Sequence, residues 1–115
     1  MIITELQPNE VFVFGSNASG AHGAGAALTA YEQFGAVWGQ GSGLQGQSYG
    51  IDTMSGFRTI EHEVARFLEF AGEHPELRFL VTKIGCGIAG YSPAQIAPLF
   101  RSVPDNVVLP DEFVA

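Results

Sequence analysis

With 115 residues and 46% hydrophobic content, the chain has the size and apolar share of one folded domain spanning residues 1–115, not of a disordered tail. Its net charge of -7, from 12 acidic against 5 basic side chains, argues against non-specific nucleic-acid binding, which needs Lys and Arg on phosphates. A single cysteine excludes an internal disulfide and fits a reducing compartment. With no basic-then-apolar leader and no uncharged apolar run near the ~18 residues of a bilayer span, a cytoplasmic protein without membrane association is expected.

Met1 to Leu6 reads as a short edge strand, followed by a turn at Gln7-Pro8-Asn9-Glu10. Val11-Phe12-Val13-Phe14 is a continuous apolar run, the pattern of a strand buried on both faces. Ala24 to Phe34 is the first predicted helix, with Ala27, Leu28, Tyr31 and Phe34 on one face and Gly35 as its stop. Ala36 to Gly46 is too rich in glycine for a stable element, and Ser48 to Thr53 is a short strand. Thr59 is placed as the cap of a second helix whose apolar stripe is Ile60, Val64, Phe67, Leu68 and Ala71, ending at His74-Pro75. Arg78 to Ile84 is the second central strand. Ser92-Pro93-Ala94-Gln95 carries a capping box with proline at the first helical position, and predicts a helix to about Ser102. Asn106 to Leu109 is a last strand. Strands alternating with helices, with glycine turns after the strands, predict an α/β fold with a largely parallel sheet.

The chemistry concentrates where two apolar strands end. Gly15-Ser16-Asn17-Ala18-Ser19-Gly20-Ala21-His22-Gly23-Ala24-Gly25-Ala26 joins the first apolar run to the first helix. Gly85-Cys86-Gly87-Ile88-Ala89-Gly90 follows the second central strand. A strand that opens through small residues into a helix leaves bare N–H groups at the positive end of a helix dipole, which suits a phosphate. Ten of the 15 glycines lie between Gly15 and Gly50, and cationic side chains are scarce, so an anion must be held mainly by main-chain dipoles. Two such turns imply a ligand with two phosphates, or a phosphate and a sugar.

Within these turns each side chain has two readings. Asn17 either caps its own turn or bonds a ribose hydroxyl. His22 either hydrogen-bonds within the loop or contacts a phosphate or sugar. Cys86 is either an inert small side chain or a nucleophile activated by a helix N-terminus. Lys83 either approaches a phosphate or snorkels to solvent. Asp52, beside the glycine-rich middle of the chain, either caps a turn or acts as a base. His62 and His74 read as structural. The three histidines lack metal-ligand spacing, and neither a metal nor a cofactor is expected. Gly41-Ser42-Gly43-Leu44-Gln45-Gly46 fits the dinucleotide-fingerprint spacing, but Gln47-Ser48-Tyr49-Gly50 does not open a helix, so it reads as a flexible loop.

Two segments, VFVFGSNASGAHGAGAA (Val11 to Ala27) and FLVTKIGCGIAGY (Phe79 to Tyr91), resemble the two ligand loops of macro domains, which bind ADP-ribose. The IGCG portion is similar to the branch of terminal ADP-ribose protein glycohydrolases and ADP-ribose-1″-phosphate phosphatases, and the whole chain resembles short phage and bacterial macro-like proteins. The resemblance implies a compact three-layer fold and an ADP-ribose-type ligand. It implies Asn17 beside the distal ribose, Gly23 to Ala26 on the first diphosphate loop, and Gly85 to Tyr91 on the second, with Tyr91 against the distal sugar. Departures are visible: no early aspartate matches the one that reads adenine, and Ala89 stands where the glycohydrolase branch has a catalytic aspartate. Binding of ADP-ribose or a related nucleotide sugar is the first expectation. Hydrolysis of ADP-ribose derivatives by Asn17, His22 or Asp52 is the second, and a metabolite sponge or sensor in phage–host conflict is the third.

Overall fold

A computed structural model describes residues 3–114. The strand β1 (Glu10–Ser16) forms the centre of the fold, because alternation along an apolar run sends side chains to both faces. Phe12 and Phe14 point to one face and Val11 and Val13 to the other, and all four are buried. Around β1 lie α1 (Gly25–Gln33), β2 (Gly43–Gln45), β3 (Ser48–Asp52), α2 (Phe57–Glu73), β4 (Arg78–Val81), α3 (Pro93–Ile96) and β5 (Val107–Val108). A single-turn 3-10 helix follows α3 at Ala97–Phe100, and another lies at Asp111–Phe113.

The sheet order is β2-β3-β1-β4-β5, parallel throughout except for the antiparallel pair β2–β3. One face is covered by α1, through Ala27, Ala30 and Phe34 against Phe12 and Phe14. The other is covered by α2 and α3, with Ile60, Val64, Phe67 and Ala71 of α2 packed on Val11, Val13, Tyr49 and Phe79. The expected three-layer α/β architecture with a mostly parallel sheet is therefore present.

Connectivity positions the site. The chain leaves β1 over one face, through α1, toward β3. It leaves β4 over the other face, through α3, toward β5. Adjacent strands whose exits diverge open a crevice at their carboxyl ends, where open α/β sheets bind ligands.

Several sequence expectations are corrected. Met1 and Ile2 lie outside the described residues, and Ile3 to Leu6 form no strand; Ile3 and Leu6 pack on the α1 face instead. Tyr31, expected on the buried face of α1, is exposed, and Ala30 takes the place in the core. The segment before Gly46 does contain an element, β2, which turns into β3 at Gly46-Gln47 with φ 59° at Gly46, a first-loop position that suits glycine in a tight hairpin. The helix α2 starts two residues before Thr59, behind Gly56 at φ 101°, and the Thr59 hydroxyl donates to the Ser55 carbonyl rather than capping. The strand β4 ends at Val81, three residues short of Ile84. The Ser92–Gln95 capping box is formed, but α3 is one turn long, because Pro98 lacks the N–H that the next α-helical bond needs.

Candidate functional site

Both glycine turns border one cleft of about 400 Å³ at the carboxyl ends of β1 and β4. Its walls are Ala24, Gly25 and Ala26 at the start of α1, and Gly85 to Ala89 of the second turn; Gly15, Thr53, Thr82 and Lys83 complete it. The turns meet at their bases: a Cβ built on Gly15 lies 3.6 Å from the Gly85 amide nitrogen. Gly25 and Gly85 adopt φ of 59° and 75°, a region that side chains disfavour, so glycine is required there by the backbone path itself.

The main chain is bare at this point, as the first turn of an uncapped helix is. Ala24 precedes α1 without a side-chain cap, and the amides of Gly25, Ala26 and Ala27 donate to no acceptor among the described residues. The same holds for Gly87, Ile88 and Ala89 in the facing turn. Neighbouring amides of that turn are occupied, with Cys86 N–H donating to Lys83 O, Gly90 N–H to Gly87 O and Tyr91 N–H to Gly85 O. Residues with free N–H groups thus border the cleft on two sides, Gly25 and Ala26 on one and Gly87, Ile88 and Ala89 on the other, with the N-terminus of α1 and the positive end of its dipole on the first.

In a chain of net charge -7, the cleft walls carry, among the described residues, one cation, Lys83, and no carboxylate. The Lys83 ammonium lies 3.6 Å from the Glu112 carboxylate, and both side chains are about half exposed. Cys86 lines the cleft with its thiol pushed up from the ordinary value, first by desolvation; Lys83 acts in the opposite sense and Glu112 in the same one. A raised pKa keeps the sulfur as a thiol at neutral pH, the unreactive form. The rate of Cys86 alkylation by iodoacetamide will accordingly rise through a midpoint above that of an unstructured cysteine peptide. A midpoint at or below the peptide's rules out this environment.

The predicted side chains are dispersed. His22, expected in one of its readings to contact the ligand, is fully buried and absent from the cleft walls. Its Nε2 faces the Val37 carbonyl at 2.8 Å and Gln45 Oε1 at 3.3 Å, both acceptors, so Nε2 carries the ring proton. The Ser16 hydroxyl, 2.8 Å away and likewise buried, is left to donate to Nδ1. Asn17 closes its own loop: Oδ1 accepts from Ala21 N–H and the Ser19 hydroxyl, while Nδ2 donates to the Ala21 carbonyl. Asp52 caps the turn after β3, accepting from Met54 N–H and the Ser55 hydroxyl. Each of the three is hydrogen-bonded within the chain. Tyr91 packs against Phe57, ring centroids 5.5 Å apart, and with Gly90 lies outside the cleft walls; Gly23 sits exposed just before them.

Thr53 and Thr82 also line the cleft, and no motif in the sequence marks them. Their position immediately past β3 and β4 is the signal that finds them, since residues just beyond parallel strands form the floor of such crevices. Their hydroxyls are spent on the scaffold, Thr53 donating to Ser16 O and Thr82 to Val13 O. The described residues hold no cluster of three potential metal ligands, and no helix among them is long and apolar enough to cross a membrane. Compared with protein-family models, curated proteins and solved structures, the chain matches none.

Proposed function

We propose that this cleft binds ADP-ribose or a related nucleotide-sugar metabolite, with its phosphates on the main-chain amides of the two turns. The observation that carries the reading is that residues of both turns whose N–H groups are unpaired line one crevice at the β1/β4 divergence. The charge pattern supports it, one cation and no acid lining a strongly acidic chain, as does a volume within the ~300–1,000 Å³ of small-molecule sites. Binding is favoured over turnover: Asn17, His22 and Asp52 are held by the chain's own partners, and the thiol of Cys86 is disfavoured as a nucleophile.

Calorimetry with ADP-ribose tests it, with Gly87→Val as the informative variant. A Cβ on Gly87 meets no atom within 4 Å and the residue has no positive φ, so the variant keeps the fold within about 0.5 kcal/mol. Its branched side chain crowds the amides of the second turn. Saturable heat from the unaltered protein and at least a ten-fold loss in Gly87→Val are expected. Absence of heat at millimolar ADP-ribose, its 1″-phosphate and cyclic relatives refutes the reading.

A further inference from the structure

The exposed main chain does not stop at the cleft wall. Gly23, Ala24 and Gly25 form a continuous exposed run, and at its far end stands Trp38, whose Cη2 lies 3.9 Å from a Cβ built on Gly23. Trp38 is 53% exposed and Tyr31 45%, two large aromatic side chains outside the core. They meet edge to face, with centroids 5.4 Å apart and planes at 71°; the buried His22 ring meets the indole at 6.2 Å and 70°. The backbone next to the indole is fixed at both ends of one residue. Val37 N–H donates to Gln45 Oε1, and Val37 O accepts from His22 Nε2.

A half-exposed indole presents apolar surface that a stacking partner covers, and the pinned Val37 backbone beside it limits the freedom lost when it is covered. The cleft walls offer no carboxylate to read the edge of a base by hydrogen bonding. We propose that Trp38, supported by Tyr31, is the shelf on which the planar base of the nucleotide ligand stacks. This rests on the reading of the cleft given above. The open run from Gly25 to Gly23 is what selects the occupant: it joins the shelf to the phosphate amides without an intervening side chain larger than methyl. Recognition by ring face is tolerant of base identity, because every base has a π-face.

Trp38 is the only tryptophan of the chain, so its fluorescence reports the shelf alone. ADP-ribose is expected to quench it saturably, while ribose 5-phosphate and inorganic pyrophosphate bind by calorimetry without quenching. Trp38→Ala weakens ADP-ribose about ten-fold and leaves pyrophosphate unchanged; Trp38→Phe retains most of the affinity, with circular dichroism confirming the fold of both. The guanine and hypoxanthine analogues bind within about three-fold of ADP-ribose. Unquenched ADP-ribose binding, or equal affinities for Trp38→Ala and the unaltered protein, overturns the shelf while the phosphate cleft stands. Concentration-dependent quenching without ligand also overturns it, because a second copy then covers the indole. If neither pyrophosphate nor ADP-ribose binds, the cleft reading falls and the shelf with it.

Discussion

Replacing His22 by alanine is expected to cost about 3–5 kcal/mol of folding stability, the largest loss at any residue of the glycine-rich loop. The imidazole is completely buried and joins three parts of the chain. These are the end of β1 through Ser16, the loop before β2 through the Val37 carbonyl, and β2 itself through Gln45. Alanine leaves an aromatic-sized gap beside Phe14, whose ring meets His22 edge-on at 5.2 Å. It also leaves the Ser16 hydroxyl and the Val37 carbonyl without that partner. In a small domain with ~5–15 kcal/mol in total, this is a large fraction. His22→Phe separates the two causes: it restores the volume and not the hydrogen bonds, and should recover about half of the loss. Urea denaturation followed by circular dichroism reads both. A His22→Ala midpoint within experimental error of the unaltered protein shows that the network bears no load. Because Val37 anchors Trp38, the same variant should also blue- or red-shift the tryptophan emission.

What makes His22 hard to recognise from sequence is that all its partners are distant. Ser16 is six residues away, Val37 fifteen and Gln45 twenty-three, and Gln45 belongs to a three-residue strand with no pattern of its own. The Gly41-x-Gly43-x-x-Gly46 spacing has the same origin. Gly41 is small because a Cβ there would sit 2.0 Å from the Asn17 carbonyl oxygen, and Gly46 because its φ is positive and Gly35 lies against it. Those glycines record an approach of two loops, which leaves only an ambiguous motif in one dimension. By contrast, β1 and α2 are legible because burial on both faces, or along one helical stripe, writes a local period into the residues. The capping box at Ser92 is legible for the same reason, since all its atoms lie within four residues. The two cleft-forming turns were visible as glycine runs after apolar strands. Their meeting followed only from the order of β3, β1 and β4 in the sheet.

Reversing the charge at Lys83 is expected to have the largest effect on binding, with Lys83→Glu lowering ADP-ribose affinity by about 10–100-fold. Among the described residues Lys83 is the one cation of the cleft walls, and the amides beside it are dipoles of fixed sign that cannot compensate. Yet its ammonium is shared, 3.6 Å from a carboxylate of Glu112 that a ligand phosphate must displace or tolerate. Glu112→Gln should therefore raise affinity about two- to five-fold, a modest gain because both side chains are half exposed and salt screens the pair. In a Lys83→Gln background the same substitution should gain less, since only the repulsion between Glu112 and the ligand is then removed. Affinities of the four proteins measured by calorimetry at low and physiological salt form the cycle. The unaltered protein should lose affinity with salt more steeply than Lys83→Gln. Equal salt dependence, or a Glu112→Gln variant that binds more weakly, means that Lys83 points to Glu112 as a scaffold contact and that the main-chain amides alone hold the anion.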